Sequence, residues 1–175
     1  MVKKNLNYSD KEIVKSASGI LSPDLYKVIL DNVPVLCVDL IILNNKKVFL
    51  IKRKNKPCEG VYWVQGGRMY KNEQMEACGK RRTASELSIP VDKIKITKCL
   101  GTFSTEFRDS HQGSASHTVN VTFLAEIEDM PLNFDADHSD GKWFDINGEI
   151  PDELKGKYEH HPYIAGLLKL ISEEI

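Results

Sequence analysis

The sequence predicts one domain of mixed α and β structure, and three observations carry that expectation. Val35-Leu36-Cys37-Val38-Asp39-Leu40-Ile41-Ile42-Leu43 and Val48-Phe49-Leu50-Ile51 are β-prone runs joined by Asn44-Asn45-Lys46-Lys47, which reads as a hairpin. The aromatic, strand-like Val61-Tyr62-Trp63-Val64 leads into Gly66-Gly67, a short polar loop and then an unbroken run of helix formers from Glu73 to Leu87. Near the end of the chain, Ile164, Leu167, Leu168 and Ile171 recur at helical spacing and predict a terminal helix with one buried stripe.

Taken in order, residues 1–32 read as a helical extension and 33–175 as the core. Ser9-Asp10-Lys11-Glu12 has the form of a capping box before Ile13 and Val14. Ser22-Pro23 places a cap before a first-turn proline, with Leu25, Val28 and Ile29 as a stripe. Within the first strand Asp39 is an anomaly: a carboxylate in an apolar run is costly to bury alone, so it must meet a polar partner or open into a site. Pro90 ends the long helix, and Ile94 to Phe103 reads as a strand entering a polar segment, Ser104 to His117. That segment holds Arg108, His111, Gly113 and His117, and as a loop beside the core it is the candidate specificity loop. A strand over Thr118–Ala125 follows. Phe134 to Asp140 crowds acidic residues around His138 just before the strand-like Trp143-Phe144-Asp145, which by itself reads as an Asp-rich turn. Glu149 to Lys157 is a turn-rich bridge, and His160-His161-Pro162-Tyr163 opens the last helix.

Composition narrows the partners. With 41% hydrophobic and 28% charged residues, 175 residues suffice for one substantial core. A net charge of −1 argues against nonspecific nucleic-acid binding, so an anionic ligand must be held by a local cluster. Cys37, Cys58, Cys78 and Cys99 form no C-x-x-C pair and read as reduced thiols of a cytoplasmic protein. Residues 1–7 lack the apolar stretch of a signal peptide, and no run approaches a membrane span.

The chemistry centres on the glycine turn. Lacking Cβ atoms, Gly66 and Gly67 let backbone amides and carbonyls approach a ligand or an ion closely. At about 100° per residue, positions 82, 85 and 86 share the helical face that looks toward them. The spacing Gly67, Glu73, Arg81, Glu86, Ile89 resembles the Nudix box, G-x5-E-x7-R-E-U-x-E-E-x-G-U with U apolar. The match is partial: Arg82 and Ser85 stand where the box has its first two metal-binding glutamates, Thr83 at its apolar position and Ser88 at its late glycine. Arg81-Arg82-Thr83-Ala84-Ser85-Glu86-Leu87 resembles the divergent R-x-T-x-x-E-L of the GDP-mannose mannosyl hydrolases. Gln65 stands where those relatives carry proline.

That resemblance implies an α/β/α sandwich with a mixed sheet, a homodimer to which the N-terminal segment contributes, and a small-molecule nucleotide-sugar substrate, with no nucleic-acid or membrane partner. It implies one Mg²⁺, with Mn²⁺ as the alternative, on the Gly66 carbonyl, Glu86 and Asp137, the last replacing a glutamine of the family's Q-H-D-x-x-W segment. It places Asp39 in the substrate pocket and Arg53 and Arg68 on the diphosphate, where rigid guanidinium donors suit phosphate oxygens. His138 becomes the base that activates water at the anomeric carbon, giving C–O cleavage to a nucleoside diphosphate and a free sugar. Glu73 and Arg81 are assigned to structure. Two further readings stay open: a pyrophosphohydrolase cleaving P–O, and a noncatalytic nucleotide-sugar or partner-binding domain.

Overall fold

The computed structural model describes residues 21–110, 115–146, 154 and 161–174. The capping box at Ser9–Glu12, His111, Gly113, His160 and the bridge apart from Leu154 lie outside the described residues. Helix α1 spans Pro23–Asn32, with Ser22 Oγ accepting the Leu25 amide at 3.3 Å. Its expected stripe turns out differently: Leu25 and Val28 are exposed, and Leu30 is the buried residue.

Strand β1 (Val35–Asn44) is the centre of the sheet. A two-residue turn with positive φ at both Asn45 and Lys46 folds it onto β2 (Lys47–Arg53), as the twist of a tight hairpin favours. The short strands β3 (Tyr62–Trp63) and β4 (Gln65–Arg68) follow, then helix α2 (Met75–Leu87), a 3₁₀ turn at Val91–Lys93, β5 (Ile94–Phe107), β6 (Ser116–Ile127), β7 (His138–Asp145) and helix α3 (His161–Glu174). The seven strands form one mixed sheet ordered β3-β2-β1-β6-β5, with β4 also on β1 and β7 on β2. β1 and β6 pair in parallel; the other pairs are antiparallel.

Both faces of β1 are covered, which is why it reads as a nearly continuous apolar run. Val38, Leu40 and Ile42, with Phe49 and Ile51 of β2, pack with Cys78 and Leu87 of α2. On the other face Ile41, Val48 and Leu50 pack with Ile164, Leu167, Leu168 and Ile171 of α3. The result is helix, sheet, helix in three layers. All four cysteines are free.

Three expectations shift. Helix α2 begins at Met75 rather than Glu73, because the Glu73 carboxylate leaves the helix to accept the Tyr70 amide at 2.9 Å. The segment Ser104–Phe107 and residues Ser116–His117 belong to β5 and β6, which shortens the expected polar loop to the stretch between Phe107 and Ser116. Thr105 and Phe107 alternate inward there, and Thr105 meets Thr118 and Asn120 across the strands at 2.5 and 3.3 Å. Finally, β7 begins at His138, so that residue sits in a strand paired with Arg53 rather than in the preceding turn.

Candidate functional site

Alternation along β1 puts Asp39 on the α3 side of the sheet, opposite Gly66 of β4 and Thr122 of β6. A Cβ at Gly66 would collide with Asp39 Oδ1 and come within 2.5 Å of the Val38 carbonyl, so only glycine fits this approach. The Tyr163 hydroxyl, from the first turn of α3, donates to Asp39 Oδ2 at 2.8 Å and lies 3.2 Å from Thr122 Oγ1. Burial pushes the Asp39 carboxyl up to about 7, against the Tyr163 hydrogen bond and the charge of Arg53. The same burial, with Asp39 beside it, raises the Tyr163 hydroxyl.

Three guanidinium groups reach the same cavity, which encloses about 280 Å³. Arg53, at the end of β2, is steadied by Nε donating to the Pro57 carbonyl at 2.7 Å. Arg68, at the end of β4, lies between the rings of Tyr26 and Tyr70, at 5.4 and 5.2 Å from their centroids. Arg82 projects from α2. Asp39, Trp63, Phe107 and Asn120 complete the polar floor and the aromatic wall. Clustered guanidinium groups beside an aromatic wall have the chemistry to hold a diphosphate and an attached ring.

Helix α2 is docked against the glycine turn by two arginine–carboxylate pairs. Arg81 donates Nε and Nη2 to the two oxygens of Glu73 at 2.6 and 2.9 Å and stacks on Tyr70 at 3.8 Å. The next residue, Arg82, donates Nε to the Gly66 carbonyl at 3.1 Å and Nη2 to Glu86 Oε1 at 2.5 Å, while Glu86 Oε2 accepts the Gly66 amide at 3.0 Å. Burial pushes Glu86 up to about 7, opposed by the Arg82 charge and the Gly66 amide.

The remaining expected residues lie elsewhere. Asp137 is exposed, and its Oδ1 accepts from Asn55 Nδ2 at 2.5 Å. His138 is buried, its Nδ1 2.7 Å from Asp135 Oδ1, and burial lowers its pKa from the ordinary value despite that carboxylate. Asp135 Oδ1 also accepts the Asp137 amide at 3.0 Å, so the segment closes on itself as an acidic turn. Neither side chain is among the residues that line the cavity. The structure thus gathers Asp39, Arg53, Gly66 and Arg68 into one pocket, holds Glu86 on the lining residues Gly66 and Arg82, and leaves Glu86, Asp137 and His138 outside the lining itself.

The NUDIX domain model matches residues 33–165. This chain belongs to the Nudix family. It is 31% identical over 164 residues to the low-salt glycan biosynthesis protein Agl8 of Haloferax volcanii, covering 93% of this chain and 94% of that one. It is also 31% identical to an ADP-ribose pyrophosphatase of Methanocaldococcus jannaschii, over 78% of this chain and 74% of that protein. The crystal structure of the MutT protein from Methanosarcina mazei Go1 superposes with a TM-score of 0.63 at 15% identity, covering 81% of this chain and 95% of its own, which is a likeness of fold.

For the divalent ion that a Nudix box implies, the donors expected here are engaged. Gly66 O and both oxygens of Glu86 already bond Arg82 and the Gly66 amide, and Asp137 bonds Asn55. Among the described residues no group of three His, Cys, Asp or Glu side chains is placed to hold a metal. The residues present do not fit a resident Mg²⁺ or Mn²⁺.

Tyr163, Tyr26 and Arg82, like the lining residues Trp63, Phe107 and Asn120, are contributors that sequence reading did not name as site residues. Tyr163 was legible only as the aromatic neighbour of a helical stripe; a polar-tipped ring at a helix start is the one signal it offered. Arg82 read as a lost glutamate rather than as a residue with a task.

Proposed function

We propose that this pocket binds a nucleoside diphosphate sugar and hydrolyses it at the glycosyl C–O bond, as the resemblance to GDP-mannose mannosyl hydrolases implies. The observation that carries the reading is the meeting of Arg53, Arg68 and Arg82 with the buried carboxyl of Asp39 in one cavity. The guanidinium groups neutralise the charge that grows on the departing diphosphate oxygen as the C–O bond breaks. Asp39 takes a proton from water as the water oxygen attacks the anomeric carbon, and the bonding pair leaves with the diphosphate. Tyr163 fixes the carboxylate through its hydrogen bond, and Trp63 and Phe107 keep bulk water from that side. Asp39 replaces His138 as the base in this reading because it lines the cavity and His138 does not. A homodimer belongs to the same resemblance and is tested by sedimentation, while a cytoplasmic location rests on the four unpaired cysteines.

Incubation with a panel of nucleotide sugars in H₂¹⁸O, followed by mass analysis, tests the reaction. A nucleoside diphosphate with label in the sugar is the expected result. The 31% identity to an ADP-ribose pyrophosphatase favours one competing outcome, nucleoside monophosphate with label in a phosphate. Binding without turnover would make the pocket a nucleotide-sugar receptor.

A further inference from the structure

The Gly66 carbonyl and Glu86 are two of the three donors that the resemblance implies for an ion, and in this chain a side-chain cation bonds both. The Arg82 Nε hydrogen is directed at the Gly66 carbonyl (3.1 Å) and Nη2 at Glu86 Oε1 (2.5 Å), so the guanidinium bridges two oxygens much as a metal would. Its seat is shaped for it. A Cβ built on Gly67 would stand 2.9 Å from Arg82 Nε, so any side chain there would push the guanidinium out. Glu86 is nearly inaccessible to solvent (2%), and a carboxylate so placed requires a compensating charge, which Arg82 supplies together with the Gly66 amide. A second cation entering within a few ångströms would meet the repulsion of Arg82, with Arg53 and Arg68 on the same cavity. Two of the five N–H donors of a guanidinium are spent on these contacts, and Arg82 is itself one of the residues that line the cavity.

We propose that the Arg82 guanidinium is a built-in cation standing in the place of the divalent ion, so that this pocket receives the diphosphate of its ligand without a resident metal. The inference concerns the same pocket as the hydrolase reading, but it is tested without substrate, so that failure of either leaves the other standing.

The decisive measurement is a titration of the whole protein with Mn²⁺ alone, followed by the electron paramagnetic resonance signal of free Mn²⁺. The wild type is expected to show no site with Kd below about 1 mM. Arg82→Ala should bind one equivalent at least about tenfold more tightly than the wild type, and Arg82→Ala combined with Glu86→Gln should lose that gain. One equivalent of Mn²⁺ held by the wild type with Kd below about 1 mM would overturn the proposal, and that arm stands even if Arg82→Ala does not fold. A folded Arg82→Ala that gains no Mn²⁺ affinity would overturn it equally, because the oxygens would then be no metal seat at all.

Discussion

Asp39 is a carboxyl held away from water by the sheet, by Gly66 and by the Tyr163 hydroxyl, and burial raises it to about 7. In the proposed reaction it works ionised, so kcat/KM is expected to rise as pH climbs through about 7 and to level above it. Asp39→Asn should lower kcat by about 10²–10⁴-fold while leaving ligand affinity little changed, and it should abolish that acid limb. A variant that retained full kcat would remove the role. Stability runs the other way. A carboxyl whose folded value is raised contributes stability that is fully present below its unfolded value near 3.8 and is lost as pH rises through about 7. Glu86 has the same sign, so the melting temperature should fall between pH 4 and 7.5 on account of this pair, and Asp39→Asn should flatten the slope measured by calorimetry. His138→Gln removes the contact to Asp135 and is expected to cost about 1 kcal/mol of stability with kcat little changed.

Helix α2 shows how an element keeps its geometry when its sequence departs from pattern. Ser88 caps it in the left-handed region, at φ 54°, where the box has a glycine. The strain on a residue with a Cβ there is about 1–2 kcal/mol, and the exposed side chain has no packing to offset it. Ser88→Gly is therefore expected to stabilise the protein by about 1 kcal/mol, seen as a rise of about 2–4 °C in Tm. At the other end, the resemblance assigned Glu73 and Arg81 to structure, and eight residues of loop and helix bring the two side chains into two hydrogen bonds. The boundary itself was not readable, because a glutamate is a good helix former and only its capture of the Tyr70 amide takes it out of the helix.

At the scale of the whole molecule, two apolar layers lie on opposite faces of one sheet, and the pocket draws on both sides of it. The layers were legible in composition and spacing: β-prone runs gave the hairpin, a run of helix formers gave the long helix to within two residues of its start, and helical spacing gave the stripe of α3. The pocket was legible where a residue broke its local pattern, as Asp39 does in an apolar strand, and where the resemblance named one, as it did Arg53 and Arg68. It was illegible where the site depends on what a distant element carries, as with Tyr163, or on a local turn whose carboxylate holds the histidine inward, as with Asp135. Leu167→Ala, a cavity beneath α3, should cost about 2–5 kcal/mol and lower kcat more than an equally destabilising change on the α2 face, such as Leu87→Ala. Equal kinetic effects from both would uncouple α3 from the site. The contact between Tyr163 and Asp39 joins positions 124 apart in the chain. During synthesis, then, the strand bearing the carboxyl emerges long before the helix that shields it. Until that helix docks, the Asp39 side chain is an ordinary acid in water, and a ribosome-bound nascent chain ending before α3 would carry the arginines of the pocket without its shielded carboxyl.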